Sequence, residues 1–156
     1  MTEAGKQLKQ TSILFRAVIA GMALFMLIAV VVNQVNGPMA PSLNEYRTVI
    51  SAALITIAFT CSIMAKYLFA KGIRDAKNSL NLLPAKLNRH RISLITYLAF
   101  AELPVMLSVI SFLLTGNFVY EVYACVFLGF ILVMFPSRKR VSEQLDLDGQ
   151  EQIELE

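Results

Sequence analysis

The chain has 156 residues, 56% of them apolar and 16% charged, with a mean hydropathy of +0.61. Ordinary globular domains carry ~25% charged residues, and here the charges collect between long apolar runs, which excludes a water-soluble core of usual build. The net charge is only +3 and the Lys and Arg residues flank apolar runs, which argues against nucleic-acid binding.

In chain order, the first apolar run covers residues 13–33, interrupted only by Arg16 near its start. A bilayer core ~30 Å thick needs ~20 mainly apolar residues to be crossed as a helix. This run is longer than the apolar core of a signal peptide and is read as a retained first span. Gly37-Pro38 and Pro41 then mark an irregular turn. The second span covers residues 48–70, with Lys66 near its end.

A basic segment follows at 71–91, carrying Lys71, Arg74, Lys77, Lys86, Arg89 and Arg91. Ile73, Leu80, Leu82, Leu83 and Leu87 are interleaved with them, and Pro84 is expected to break the segment into two short pieces. Such a stretch is expected to lie along the membrane surface and attract anionic lipid headgroups, or to dock a soluble partner. His90, among these cations, is expected to be solvated or to face headgroups.

The third span covers residues 92–115 and the fourth 118–135, joined by Gly116-Asn117, which is short enough to require an antiparallel hairpin. Glu121 lies in the first turn or so of the fourth span, beside Tyr120 and Tyr123, where an interfacial position suffices. Pro136-Ser137 ends the membrane domain at residue 136. The tail 137–156 is expected to begin with a short amphipathic turn, Val141 and Leu145 on one side. It ends acidic, with Asp146, Asp148, Glu151, Glu154 and Glu156.

Backbone groups in lipid must bond within their own segment, and the runs lack the alternation of barrel strands, so the fold class expected is all-α: a four-helix antiparallel transmembrane bundle. Lys6 and Lys9 precede span one, the basic segment separates spans two and three, and Arg138, Lys139 and Arg140 follow span four. The other connections hold a single cation, Arg47. Positive residues favour the cytoplasmic side, which predicts both termini there, in a cell inner membrane.

One residue asks for an explanation. Glu102 lies ten residues into span three, ~15 Å deep at 1.5 Å per residue. An acid at that depth costs a few kcal/mol, ~2.5–3.5 on the lenient insertion scale, and must be protonated, paired or wetted. Depth-matching on span two selects Thr60 and Thr56 as neighbours, and Pro104 predicts a kink that frees the Phe100 carbonyl. Three roles fit: a structural bond that locks the helices, handling of a proton or sodium ion, or a subunit contact.

Cys61 and Cys125 fall in apolar runs and read as packing residues. No Cys/His cluster has metal spacing, and no phosphate-cradling loop or nucleophile elbow is present, so no cofactor, metal or catalytic site is expected. A nucleophile, base and orienting group do not share one depth, so the chain does not read as an enzyme.

At Ala99-Phe100-Ala101-Glu102 the sequence resembles the carboxylate helix of the proteolipid (c-type) subunits of rotary ATP synthases. The resemblance implies a proton- or sodium-binding role for Glu102. The chain departs from that family in lacking a glycine-repeat helix, since span one has only Gly21 and span two has none. The whole layout, ending in Phe135-Pro136-Ser137-Arg138-Lys139-Arg140-Val141, is similar to small four-span proteins of bacterial inner membranes whose role is uncharacterised. The function expected is therefore a non-enzymatic structural or accessory subunit of a membrane assembly, with a protein partner or a homo-oligomer. The alternative is a proton- or sodium-coupled protein using Glu102.

Overall fold

The computed structural model describes residues 3–77 and 83–147. Leu80, Leu82, Asp148, Glu151, Glu154 and Glu156, to which the sequence reading assigned a surface segment and an acidic tail, lie outside the described residues. The described chain is all-helical: α1 (Glu3–Asn36), a 3-10 turn (Pro41–Tyr46), α2 (Arg47–Lys77), α3 (Leu83–Thr115), α4 (Val119–Leu132) and α5 (Arg138–Leu145).

Three helices, α1, α2 and α3, are long and apolar enough to cross a membrane, with mean hydropathies of 2.5, 2.0 and 2.0 over their most apolar windows. Only 22%, 17% and 39% of those windows is buried inside the fold. Leu27, Phe59 and Phe130, at 62%, 68% and 67% exposure, show the pattern. Apolar surface on this scale is unfavourable in water and suits a lipid surrounding. At 14 residues, α4 is ~21 Å long and shorter than the others. Its expected span to residue 135 is cut back because Met134 and Phe135 donate to the carbonyls of Ile131 and Leu132, closing the helix with tighter turns.

The helices do not close into a ring. α3 is the hub, packing against α2, α1 and α4, while α1 packs on α3 and α4 and not extensively on α2. The main core runs from Phe15, Met22, Met26 and Ala29 through Val105, Val109 and Phe112 to Tyr120, Ala124 and Ile131, with Leu54, Ala65 and Phe69 of α2 on its other side. α2 buries Leu54, Ala58, Ala65, Phe69 and Ala76, steps of four and seven residues that keep one face on α3. Gly72 sits on this face, and a Cβ there would lie 2.9 Å from that of Ser93, so the two backbones are in close approach.

The connections follow from local chemistry. α3 ends at Gly116, whose φ of +69° is the left-handed conformation a glycine adopts without cost, and whose N–H donates to the Phe112 carbonyl. Asn117 then accepts the Val119 N–H on its side chain, an Asx turn that leads into α4. The free carbonyls at the end of α3 are met by the α1–α2 connection, Met39 donating to Leu113 and Ala40 to Leu114.

At the basic end the structure departs from the sequence reading. Residues 71–77 and 83–91 do not form separate pieces; they prolong α2 and α3. Pro84 is the second residue of α3, where its missing N–H has no intrahelical partner to lose. α5 lies on this end, where Val141, Leu145 and Leu147 join Leu8, Ala76, Leu83 and Leu87 in a second, smaller core.

Candidate functional site

Glu102 stands on the edge of the buried face of α3, half-buried, at the middle of a helix that runs unbroken through Pro104. Among the described residues no hydrogen bond or ion pair engages its carboxylate. The register of the α2–α3 pair is set by Arg89 donating to the Asp75 carbonyl at 3.2 Å and by the Phe69 and Tyr97 rings 5.9 Å apart. Carried along both helices, it sets Glu102 level with residues 62–64 of α2, about one turn from Thr60.

Orientation is another matter. Thr56 and Thr60 are exposed, about half a turn from the face that α2 lays on α3. Each hydroxyl donates to the carbonyl four residues back, Thr56 to Ala52 and Thr60 to Thr56. The structure therefore joins neither threonine to Glu102 by a hydrogen bond among the described residues. Pro104 is buried, and its carbonyl accepts from the Ser108 hydroxyl at 2.8 Å.

Among the described residues the most buried acid is a different one. Glu121 is 5% exposed, and its Oε2 has no hydrogen-bond partner. Its place in the first turn of α4, where acids are common, fits the interfacial position expected from the sequence. Rotation about the helix axis, which position in the chain does not reveal, buries it: Glu121 falls on the same side as Tyr120 and Ala124, the side that α4 turns inward. Tyr120 beside it donates its hydroxyl to the Arg47 carbonyl at 3.2 Å.

The cations of the basic end divide into free and engaged. Lys71 and Arg74 are exposed on the last turns of α2, and Arg91 is half-buried on α3. Lys77 reaches Asp146 at 4.0 Å, Arg89 holds the Asp75 carbonyl, and Lys86 is also engaged. His90 corrects the expectation of a solvated side chain. It is 2% exposed, its Nε2 lies 2.9 Å from the Gln144 Oε1 of α5, and its ring meets Phe69 edge-on at 5.9 Å. With α5 laid over α3, the loop that the sequence suggests becomes an interior.

Among the described residues no group of three His, Cys, Asp or Glu side chains is placed to hold a metal. Cys61 and Cys125 are unpaired thiols, half-buried and exposed. No protein-family model, curated protein or solved structure matches this chain.

Proposed function

We propose that the chain crosses a bacterial inner membrane four times, with both termini in the cytoplasm, and serves as a non-enzymatic accessory or structural member of a membrane assembly. The lengths of α1, α2 and α3 and the segregation of cations to one end support this topology. The 14 residues of α4 supply ~21 Å for the fourth crossing and the tighter turns at 133–135 extend it, within the thinning and snorkelling that a bilayer tolerates.

The observation that carries the accessory role is the open side of α2. Ala52, Thr56 and Thr60, at steps of four, are all exposed on the side turned away from α3. Both hydroxyls are satisfied by their own helix, leaving a stripe of small residues beside the exposed Phe59 and Ile63, and small residues let another transmembrane helix approach closely. The occupant proposed is a helix of a partner protein.

Purification from native membranes in mild detergent tests this. The expected result is a partner in fixed ratio, lost on Thr56→Leu or Thr60→Leu and kept on Leu27→Ala, a change on the lipid-facing side of α1. A chain that purifies alone, or a partner indifferent to both threonine changes, overturns the reading.

A second reading has its own observation: Glu102 lies at mid-helix, half-buried and without a partner among the described residues. In this reading Glu102 carries a proton or sodium ion. Carbodiimide labelling in native membranes is then expected to reach Glu102, to fall as pH rises and to be protected by sodium. A Glu102 unreactive at every pH removes the carrier.

A further inference from the structure

Between the first turns of α1 and the α4–α5 junction lies a groove of about 330 Å³. Lys9, Ser12, Ile13 and Arg16 line it from α1, and Phe135 and Ser137 from the other side. Positions 9, 12, 13 and 16 fall at steps of three and four, so one face of α1 presents both cations and the hydroxyl together.

The groove is held in shape from several directions. The Arg16 guanidinium lies 5.3 Å from the centre of the Phe135 ring, which also meets Phe15 edge-on at 5.5 Å. A cation over an aromatic face is attracted by the ring quadrupole and loses freedom there. Ser137 caps α5 by accepting the Arg140 N–H, and the Arg140 guanidinium donates to the Val133 carbonyl, tying the start of α5 to the end of α4.

Two features separate this place from the rest of the basic end. First, its cations lack an acidic partner: among the described residues neither Lys9 nor Arg16 forms an ion pair, and no acid lines the groove. Lys77 and Arg89, by contrast, are held by the protein. Second, cationic and apolar walls meet here. Ile13 and Phe135 stand where α1 enters its apolar run, and exposed Ala17, Leu24 and Leu27 carry that surface on along the helix.

A ligand matched to this place has an anion at one end and hydrocarbon at the other. We propose that the groove binds one anionic phospholipid, its phosphate between Lys9 and Arg16 and an acyl chain along the exposed side of α1. The guanidinium fork suits two phosphate oxygens at once, and Ser12 and Ser137 offer hydroxyl donors to the rest of the headgroup. Cationic pockets between transmembrane helices are where such headgroups are held. The site does not depend on whether α2 carries a partner.

The test uses the full chain in detergent with equal phosphatidylglycerol and phosphatidylcholine, bound lipid being counted by native mass spectrometry. Wild type is expected to retain one phosphatidylglycerol in preference to phosphatidylcholine. Arg16→Gln or Lys9→Gln is expected to reduce that retention about tenfold, the loss of one charged contact. Lys71→Gln and Arg74→Gln, on exposed cations outside the groove, are expected to change it by less than about twofold. Arg16 and Lys9 are exposed, so an unchanged thermal midpoint is expected to accompany the loss. Equal weakening by the groove and the α2 variants means diffuse attraction and overturns the site. Displacement of the lipid by excess inorganic phosphate assigns the groove to the free anion and overturns the lipid.

Discussion

At Gly72 and Glu121, single atoms decide how the helices meet. A methyl group on Gly72 would crowd Ser93, whose Cβ would lie 2.9 Å away, on the face where α2 meets α3. Gly→Ala gains ~1 kcal/mol of helix propensity in an open helix. Here overpacking outweighs it, and Gly72→Ala is expected to cost ~1–3 kcal/mol in detergent unfolding. Adding Ser93→Gly removes the crowding atoms and is expected to return much of that loss, a coupling a double-mutant cycle reads directly. Glu121 has the opposite defect, a buried oxygen with nothing to bond. An unpaired buried charge is costly, so Glu121→Gln is expected to leave the thermal midpoint unchanged or raised. Glu121→Lys, longer and of opposite sign in the same enclosure, is expected to lower it by several degrees.

The most informative element is α5. Its eight residues are too few to be helical alone, so its order comes from its cap at Ser137, from Val141 and Leu145 in the smaller core, and from the His90–Gln144 bond. Val141 is fully buried, and Val141→Asp is expected to release α5. His90→Ala is expected to loosen it by ~1 kcal/mol or more, by leaving Gln144 without its partner. Amide exchange at residues 138–145 should rise in both variants, while the centres of α1 to α3 keep their protection. Loss of protection throughout would mean that the two cores unfold as one. The α3–α4 connection makes a second elemental prediction. Gly116 is left-handed and a Cβ there would stand 3.1 Å from Pro38, so Gly116→Ala is expected to cost ~1–2 kcal/mol.

For the molecule as a whole, the question is how often the chain crosses the bilayer. Glu45, in the 3-10 turn, and Asn88, on the basic extension of α3, are both exposed and lie beyond opposite ends of α2. In a Cys61→Ser, Cys125→Ser background, an impermeant thiol reagent added outside intact cells is expected to label Glu45→Cys and to spare Asn88→Cys until the membrane is opened. Ser137→Cys is expected to behave as Asn88→Cys does. Labelling of Ser137→Cys from outside would mean that residues 119–132 do not cross, and would leave three spans in place of four.

The helices were legible in the sequence because apolar run length is a one-dimensional quantity: the bilayer imposes it on each segment separately, without reference to neighbours. α5 was legible in part for the same reason, since Val141 and Leu145 fall on one side at helical spacing. Glu102 was legible by depth alone. The tertiary structure decided everything that depends on rotation about a helix axis. It turned Thr56 and Thr60 away from α3, turned Glu121 inward, covered His90 with α5, and gathered Lys9, Arg16 and Phe135 around one groove. In apolar helices nearly every face is greasy enough to bury, so composition leaves rotation undetermined. The choice is made by which small residues, as at Gly72, allow two backbones to meet.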